Sequence, residues 1–391
     1  MVYLDIEAKS SKIKLKFVKV LKKENDAMSK NPFNPAFGKV PPIFIDREQY
    51  VQDIVEGLGN FNSPMQTTLI SGVRGVGKTV LLADICLGLE KDDRWIVADV
   101  PSNGNIMETL VQSVREKASS EVKKAIDSIE GISISLMGVG IGYTAEKSKV
   151  NYQLLLEKIL NKLKEKNISL LVAIDEVEVN QELRQFASVY QIMVRKDYPI
   201  ALLMTGLPKN ISELQNDKTL TFLLRSARIE LPPLSEITVQ YSYKEAFTKG
   251  RKSVDLSVLK RLTQLTRGYS YAFQLLGYLI WEKDAQEITD EVVDSCLDKY
   301  KELLYRNAYS KIYEELSRID RSFILAMAQC ETDIVPMKFI SDILKKKPNY
   351  ISTYKRRLLD SGVIRAESYG NVEFSLPLFK EYLQEFHLDI E

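Results

Sequence analysis

Eight consecutive residues carry the most specific chemistry in this 391-residue chain. Gly72-Val73-Arg74-Gly75-Val76-Gly77-Lys78-Thr79 matches GxxxxGK[ST] in full. Such a loop curls around phosphate oxygens and offers them its backbone N–H groups. Glycines let the backbone turn tightly enough to aim those groups inward. The helix beginning around Val80 adds partial positive charge at its N-terminus. On this reading the residues from Gly72 to Val80 hold phosphate, and Lys78 reaches the β- and γ-phosphates. Thr79 ligates Mg²⁺.

A second constellation lies about 100 residues on, where Leu170-Leu171-Val172-Ala173-Ile174 runs directly into Asp175-Glu176. An apolar run of that length reads as a central strand. Acids at its C-terminal end lie where open α/β sheets bind ligands. Asp175 is then expected to hold Mg²⁺, directly or through water, and Glu176 to polarise an attacking water. Ile200-Ala201-Leu202-Leu203-Met204 ends at Thr205, whose hydroxyl can orient that water or contact the γ-phosphate. Catalysis of this kind is mostly positioning and charge stabilisation of the transferred phosphoryl group.

Other chemistries find little support. The single histidine, His387, lies near the C-terminal Glu391, which argues against histidine metal sites, Ser-His-Asp triads and most histidine acid–base work. Cys86, Cys296 and Cys330 form no CxxC pair and read as small apolar core residues of a protein in a reducing cytosol. No run of 18 or more apolar residues occurs, so no transmembrane helix and a cytoplasmic location are expected. Lysine plus arginine is 54 against 53 acids, a net charge of +1. That excludes a uniformly basic coat but not local basic patches.

The elements that must position these residues alternate. Strands are predicted at 66–71, 95–100, 168–174, 199–205 and 227–231. Helices fall between them, including 152–163 and 182–194, each with one apolar face. Such alternation implies a parallel sheet covered on both faces. After residue 235 the pattern turns helical, with helices expected at 235–248, 254–266, 270–283 and 289–306. The tail predicts helices at 311–328, 336–345 and 349–361, then two short strands around Ser368-Tyr369-Gly370-Asn371. Three helices and a hairpin is the order of a winged helix.

Taken together, the motifs resemble those of AAA+ ATPases, and more narrowly the origin-recognition-type initiators with their STAND-like and archaeal relatives. The resemblance rests on GVRGVGKT, on Ile174-Asp175-Glu176, and on Thr205 at the sensor 1 place. It also rests on Pro41-Pro42-Ile43-Phe44-Ile45-Asp46-Arg47-Glu48, which is similar to the family's PPxFxGRE segment with Asp46 where glycine is usual. It spans about residues 31–386. It implies ATP as the nucleotide, with Ile43 and Phe44 flanking the adenine. It also implies hydrolysis to ADP and phosphate, with Lys78, Glu176 and Thr205 at the reacting centre. The family supplies an arginine finger from a neighbouring subunit, so a homo-oligomer is implied. Phe222 to Leu231 is similar to that region, which assigns the finger to Arg225 with Arg228 in reserve. The plain alternative is two surface arginines paired with local acids. Arg267-Gly268-Tyr269-Ser270-Tyr271 departs from the sensor 2 pattern: no arginine follows in the lid helix, so hydrolysis is expected to be slow. Tyr269 or Tyr271 is left to contact adenine.

The fold class expected is therefore an α/β P-loop NTPase, a parallel sheet with helices on both faces, followed by an all-α lid and a winged helix. The divisions are a basic N-terminal arm or extension at 1–30, the nucleotide-binding domain at 31–234, the lid at 235–308 and the winged helix at 309–391. Within the arm, Lys12 to Phe17 alternates like a strand, and Met28 is an alternative start. A hairpin at 132–143 interrupts the core, as a structural edge or as a contact for DNA or a partner. Residues 338–365 hold eight basic side chains and two acids. Asn349, Ser352, Thr353 and Arg356 share one helix face there, able to meet base edges, while Lys345, Lys346, Lys347, Lys355, Arg357 and Arg365 are placed to meet phosphates. The function so read is an ATP-controlled protein whose nucleotide state sets oligomerisation and winged-helix binding to double-stranded DNA, of initiator or loader type. The alternative is a STAND-like signalling or defence switch acting through protein partners.

Overall fold

The computed structural model describes residues 30–36, 41–43, 47–129, 151–368 and 370–388. The basic arm, the 132–143 hairpin and Phe44 lie outside the described residues. Those described fall into two compact units. One contains 47–233 with 311–388, and the other contains 234–310 with 30–36 and 41–43.

The first unit is built on five parallel strands: β1 (Thr67–Ser71), β2 (Trp95–Asp99), β3 (Ser169–Ile174), β4 (Ile200–Gly206) and β5 (Ala227–Glu230). Their order across the sheet is β2-β3-β4-β1-β5. Each predicted strand is present to within a residue or two at its ends. Strands β3 and β4 are continuous apolar runs because helices cover both faces of the sheet. From Leu170 to Ile174 and from Ile200 to Met204 every side chain is buried. Helix Tyr152–Glu165 contributes Leu155, Leu156, Ile159, Leu160 and Leu163 to that core, and helix Gln181–Arg195 contributes Phe186, Tyr190 and Met193. Asn180 starts the latter helix by accepting the Leu183 N–H at 2.8 Å, which satisfies an otherwise orphaned donor.

The pairing sets which strand ends meet. Ile70 of β1 lies opposite Thr205 of β4, and Ile174 of β3 lies opposite Met204. The C-terminal ends of β1, β4 and β3 therefore finish level, side by side, with β4 in the middle.

The C-terminal part of this unit runs helix Ser310–Glu315, helix Arg318–Ala328, β8 (Val335–Pro336), helices Met337–Leu344 and Pro348–Asp360, β9 (Ile364–Ala366), β10 (Asn371–Phe374) and helix Phe379–Phe386. The helix predicted at 311–328 is broken at Leu316-Ser317. There the Ser317 hydroxyl accepts the Asp320 N–H at 3.3 Å and caps a new helix. Strand β10 pairs antiparallel with both β8 and β9.

The second unit is mainly helical, with Glu236–Lys249, Leu256–Thr266, Ser270–Trp281 and Asp290–Leu304, the last continued by a π turn at Tyr305–Tyr309; where the sequence predicts an all-α lid, two short strands, β6 (Ser253–Val254) and β7 (Glu287–Ile288), pair in parallel. Its centre is aromatic. Phe33 is 2% exposed and lies 5.5–6.3 Å, centroid to centroid, from Tyr243, Phe247, Phe273 and Trp281. Among the described residues no helix is long and apolar enough to cross a membrane.

Candidate functional site

Strand β1 delivers the chain into the loop Gly72–Gly77, and helix Lys78–Leu89 leaves it. Gly75 and Gly77 have φ of 78° and 99°, the left-handed region in which a side chain would be strained. Gly77 is also the residue from which the helix starts. Lys78 is 8% exposed, and its Nζ donates to the carbonyls of Gly72 at 2.9 Å and Val73 at 3.1 Å. Burial pushes its pKa down to about 8, partly offset by the negative charges of Asp175 and Glu176. The lysine sits where removing its water has already weakened its hold on the proton, so an anionic phosphate there has a strong electrostatic effect.

Asp175, at the end of β3, meets two hydroxyls. The Thr79 hydroxyl donates to its Oδ2 at 2.7 Å, and Thr205 donates to its Oδ1. Thr205 is completely buried, and its oxygen also accepts the Glu176 N–H at 3.3 Å. The Val177 N–H closes onto the Thr205 carbonyl at 2.8 Å. The chain leaves β3 through Glu176 at φ 50°, a left-handed conformation that non-glycine residues rarely adopt. Conformations of this kind cost of order 1–3 kcal/mol and persist only when neighbours enforce them. The bonds to Thr205 do so here, and they leave the Glu176 side chain exposed at the sheet edge.

Lys78, Thr79, Asp175, Glu176 and Thr205 thus come together from β1, β3 and β4. Thr79 and Asp175 present two hard oxygens in contact, a donor set suited to Mg²⁺, which is commonly held by one or two protein oxygens with phosphate and water completing the shell.

Sequence reasoning passed over one residue of this site. Arg47 is 6% exposed, and its Nη2 donates to the Val76 carbonyl at 3.0 Å and the Pro232 carbonyl at 3.3 Å. It braces the phosphate loop from behind. Desolvation lowers its pKa to about 10, and its Nη1 is buried with no hydrogen-bond partner among the described residues. In a stretch as polar as Asp46-Arg47-Glu48 an arginine looks solvated, and within the segment Pro41 to Glu48 only Ile43 and Phe44 receive a role from sequence.

The remaining expected residues lie elsewhere. Arg225 ends the short 3₁₀ helix Thr221–Arg225, just ahead of β5. It is therefore at the N-terminal edge of the sheet, opposite the phosphate loop. It lines a cavity of 420 Å³ with Thr67, Tyr190 and Arg195. Arg228 is exposed on β5. Neither Arg225 nor Arg228 forms an ion pair among the described residues. Ile43 belongs to the helical unit, where its carbonyl accepts Gln274 Nε2 at 3.0 Å. Tyr269 is in the same unit, 3% exposed. Tyr271 accepts a bond from Asn307 Nδ2 at 3.0 Å. On helix Pro348–Asp360, Asn349, Ser352, Thr353, Arg356 and Arg357 are exposed and Lys355 is half-buried, while Ile351 and Leu358 are buried beneath them.

The parallel sheet, the glycine loop at the end of β1 and the acids at the end of β3 define the chain's class by fold: an α/β P-loop NTPase. A family model described as a domain of unknown function (DUF8462) matches residues 306–383. No curated protein matches the chain. Among solved structures it is similar to the Walker-type ATPase PABY2304 of Pyrococcus abyssi, with a TM-score of 0.58 and 17% identity, over 87% of this chain and 96% of that one. It is also similar to the ORC2 protein of Aeropyrum pernix in its ADPNP–ADP complexes, with a TM-score of 0.58 and 12% identity, over 90% and 96%. For the ADP form of ORC2 the TM-score is 0.50 at 13% identity, over 90% and 97%. At 12–17% identity these likenesses are of fold.

Proposed function

We propose that the chain binds and slowly hydrolyses ATP with Mg²⁺, and that its nucleotide state governs self-association and DNA contact by its C-terminal module. The observation that carries this reading is the Thr79–Asp175–Thr205 arrangement beside Lys78 at one sheet edge. Gly72 to Val80 would cradle the phosphates. Thr79 and Asp175 would hold Mg²⁺, which when bound neutralises developing phosphate charge. Glu176 would take the proton of the attacking water. Thr205, buried and bonded to both acids, would keep them in position. ORC2 of Aeropyrum pernix, with the same fold, was captured with ADPNP and ADP, which supports adenine nucleotides as the ligands.

Arg225 faces the wrong edge of its own sheet to serve its own site. The role that fits it is to complete the site of a neighbouring copy, where an arginine beside the transferred phosphoryl group is worth about 10³–10⁵ in rate. The order of helices and short strands from 311 to 388 supports reading this segment as a winged helix, and the exposed face of Asn349, Ser352, Thr353 and Arg356 is its candidate DNA surface, flanked by Lys355.

The alternative, a protein-directed STAND-like switch, is favoured by one feature of that module. Arg357 is tied to Asp320 at 2.8 Å and Arg365 to Glu373, so two of the cations expected to meet DNA phosphates are already neutralised. Titration with duplex DNA at two salt concentrations separates the readings. ATP-sensitive binding that weakens with salt supports the DNA surface. Binding that is absent at moderate salt, and unaltered in Arg356→Ala, supports the protein-directed switch.

A further inference from the structure

The phosphate loop is touched at two successive residues by the C-terminal segment of its own compact unit. Arg74 Nη2 lies 2.8 Å from Glu315 Oε1, with the two side chains about one-third exposed, at 33% and 31%. Next to it, Val73 packs against the turn that follows helix Pro348–Asp360. A Cβ at Gly362 would lie 2.4 Å from Val73 Cγ1, and Gly362 also has a φ of 69°. Glycine is required there on both counts.

Both contacts come from the C-terminal module, and the helix that carries Glu315 is fastened to it. Arg321 Nε donates to the Tyr313 carbonyl at 3.0 Å, and its Nη2 donates to the Glu314 carbonyl at 2.7 Å. The Tyr313 ring stacks on His387 at 3.8 Å. Glu315 and Gly362 therefore report the position of one body, and they grip the two loop residues whose backbones must face a polyphosphate. The carboxylate of Glu315 is near enough for its charge to be felt at Lys78. A nucleotide brings three or four negative charges into the same space, where like charges repel strongly at short range.

We propose that residues 311–388 are a nucleotide sensor acting in cis: Glu315 competes with the polyphosphate for Arg74, and its displacement frees the Gly362 turn from Val73. The proposal rests on the ATP-site reading above and supplies its regulation. Coupling of this kind is reciprocal, so whatever holds the module on the loop weakens nucleotide binding by the same factor. It gives a function to the segment matched by the family model of unknown function, and it links that segment to the phosphate site through two named contacts.

The test uses the full chain. ADP and ATP affinities are measured for wild type, Glu315→Ala and Glu315→Arg, together with hydrogen exchange of residues 311–316 and 359–363. Removing Glu315 should tighten nucleotide binding by up to about fivefold, the range a partly exposed ion pair supports. Glu315→Arg should do at least as much. In wild type, nucleotide should speed exchange in both segments, and in Glu315→Ala exchange should be fast already. Equal or weaker nucleotide binding in both variants, or exchange that nucleotide slows, overturns the proposal. If wild type binds no nucleotide, the ATP-site reading fails instead. The clamp is then judged on exchange alone: faster in Glu315→Ala upholds it, and unchanged refutes it.

Discussion

The phosphate edge of the sheet and the basic face of helix Pro348–Asp360 are two polar surfaces of one compact unit, and they are built in opposite ways. At the sheet edge the functional groups hold one another. Lys78 is buried on loop carbonyls, Thr205 is fully buried between two acids, and Asp175 accepts from two hydroxyls. On the helix, Asn349, Ser352, Thr353 and Arg356 stand out in solvent, above a core reached by Ile351 and Leu358. A site whose members fix each other is preorganised and cannot lose one quietly. A solvated face is adjustable, and each of its charges contributes a small, salt-sensitive share.

Substitutions should expose that difference, beginning with the largest. Lys78→Ala should weaken ATP binding by about 100-fold or more, since a charge-assisted contact to phosphate and its partners is lost together. Calorimetric titration checks it, and an unaltered affinity would break the comparison at its strongest point. Glu176→Gln should leave affinity near wild type and lower turnover by roughly 10²–10⁴, the share of a positioned general base. Phosphate release measures this. Arg225→Ala should reduce turnover in concentrated, assembled protein and have little effect in dilute protein. Turnover independent of concentration and of this substitution would reject the trans role.

Nucleotide affinity should also depend on pH. The Lys78 pKa is lowered to about 8 by burial in the free protein, and nucleotide phosphates favour the charged lysine. Binding therefore takes up a proton once the pH rises past that value. Affinity should be nearly flat from pH 7 to 7.5 and fall by up to about tenfold per unit above pH 8. Titrations between pH 7 and 9.5 show whether that slope is present in wild type.

The smallest effects separate two neighbouring arginines. Arg356→Ala, on the open face, should leave thermal stability unchanged and reduce the salt dependence of DNA binding by about one phosphate contact. Arg357→Ala should cost about 1–3 kcal/mol of stability, because it strands the 3% exposed Asp320, whose second oxygen already has no partner among the described residues. Equal melting temperatures for the two variants would show that Arg357 belongs to the solvated face after all.

The sheet and its acids were legible because each is specified locally. An apolar run of five or six residues is a buried parallel strand, and the glycine loop needs its flanks in sequence. Thr205 was legible as a strand end, but its bonds to Asp175 and Glu176 were not, since they depend on β4 lying between β1 and β3. Arg47 was missed for a related reason: its burial comes from the carbonyls of Val76 and Pro232, the latter 185 residues away in the chain. The break at Ser317 was hidden by apolar spacing that continues through it, although a serine followed three residues later by Asp320 was a usable cap signal. The pairing of Arg357 with Asp320 lay beyond any periodicity argument, because a helical spacing shows which residues share a face and not which acids they find.

The central claim is that the edge formed by Thr79, Asp175 and Glu176 binds and cleaves ATP. Its most direct test is single-turnover hydrolysis of bound ATP in wild type and Glu176→Gln, each first shown to be saturated with nucleotide and Mg²⁺. Bound ATP should convert to ADP in wild type and persist at least about 100 times longer in the variant. Equal conversion rates in the two proteins, or no ATP bound by wild type at all, would contradict the account.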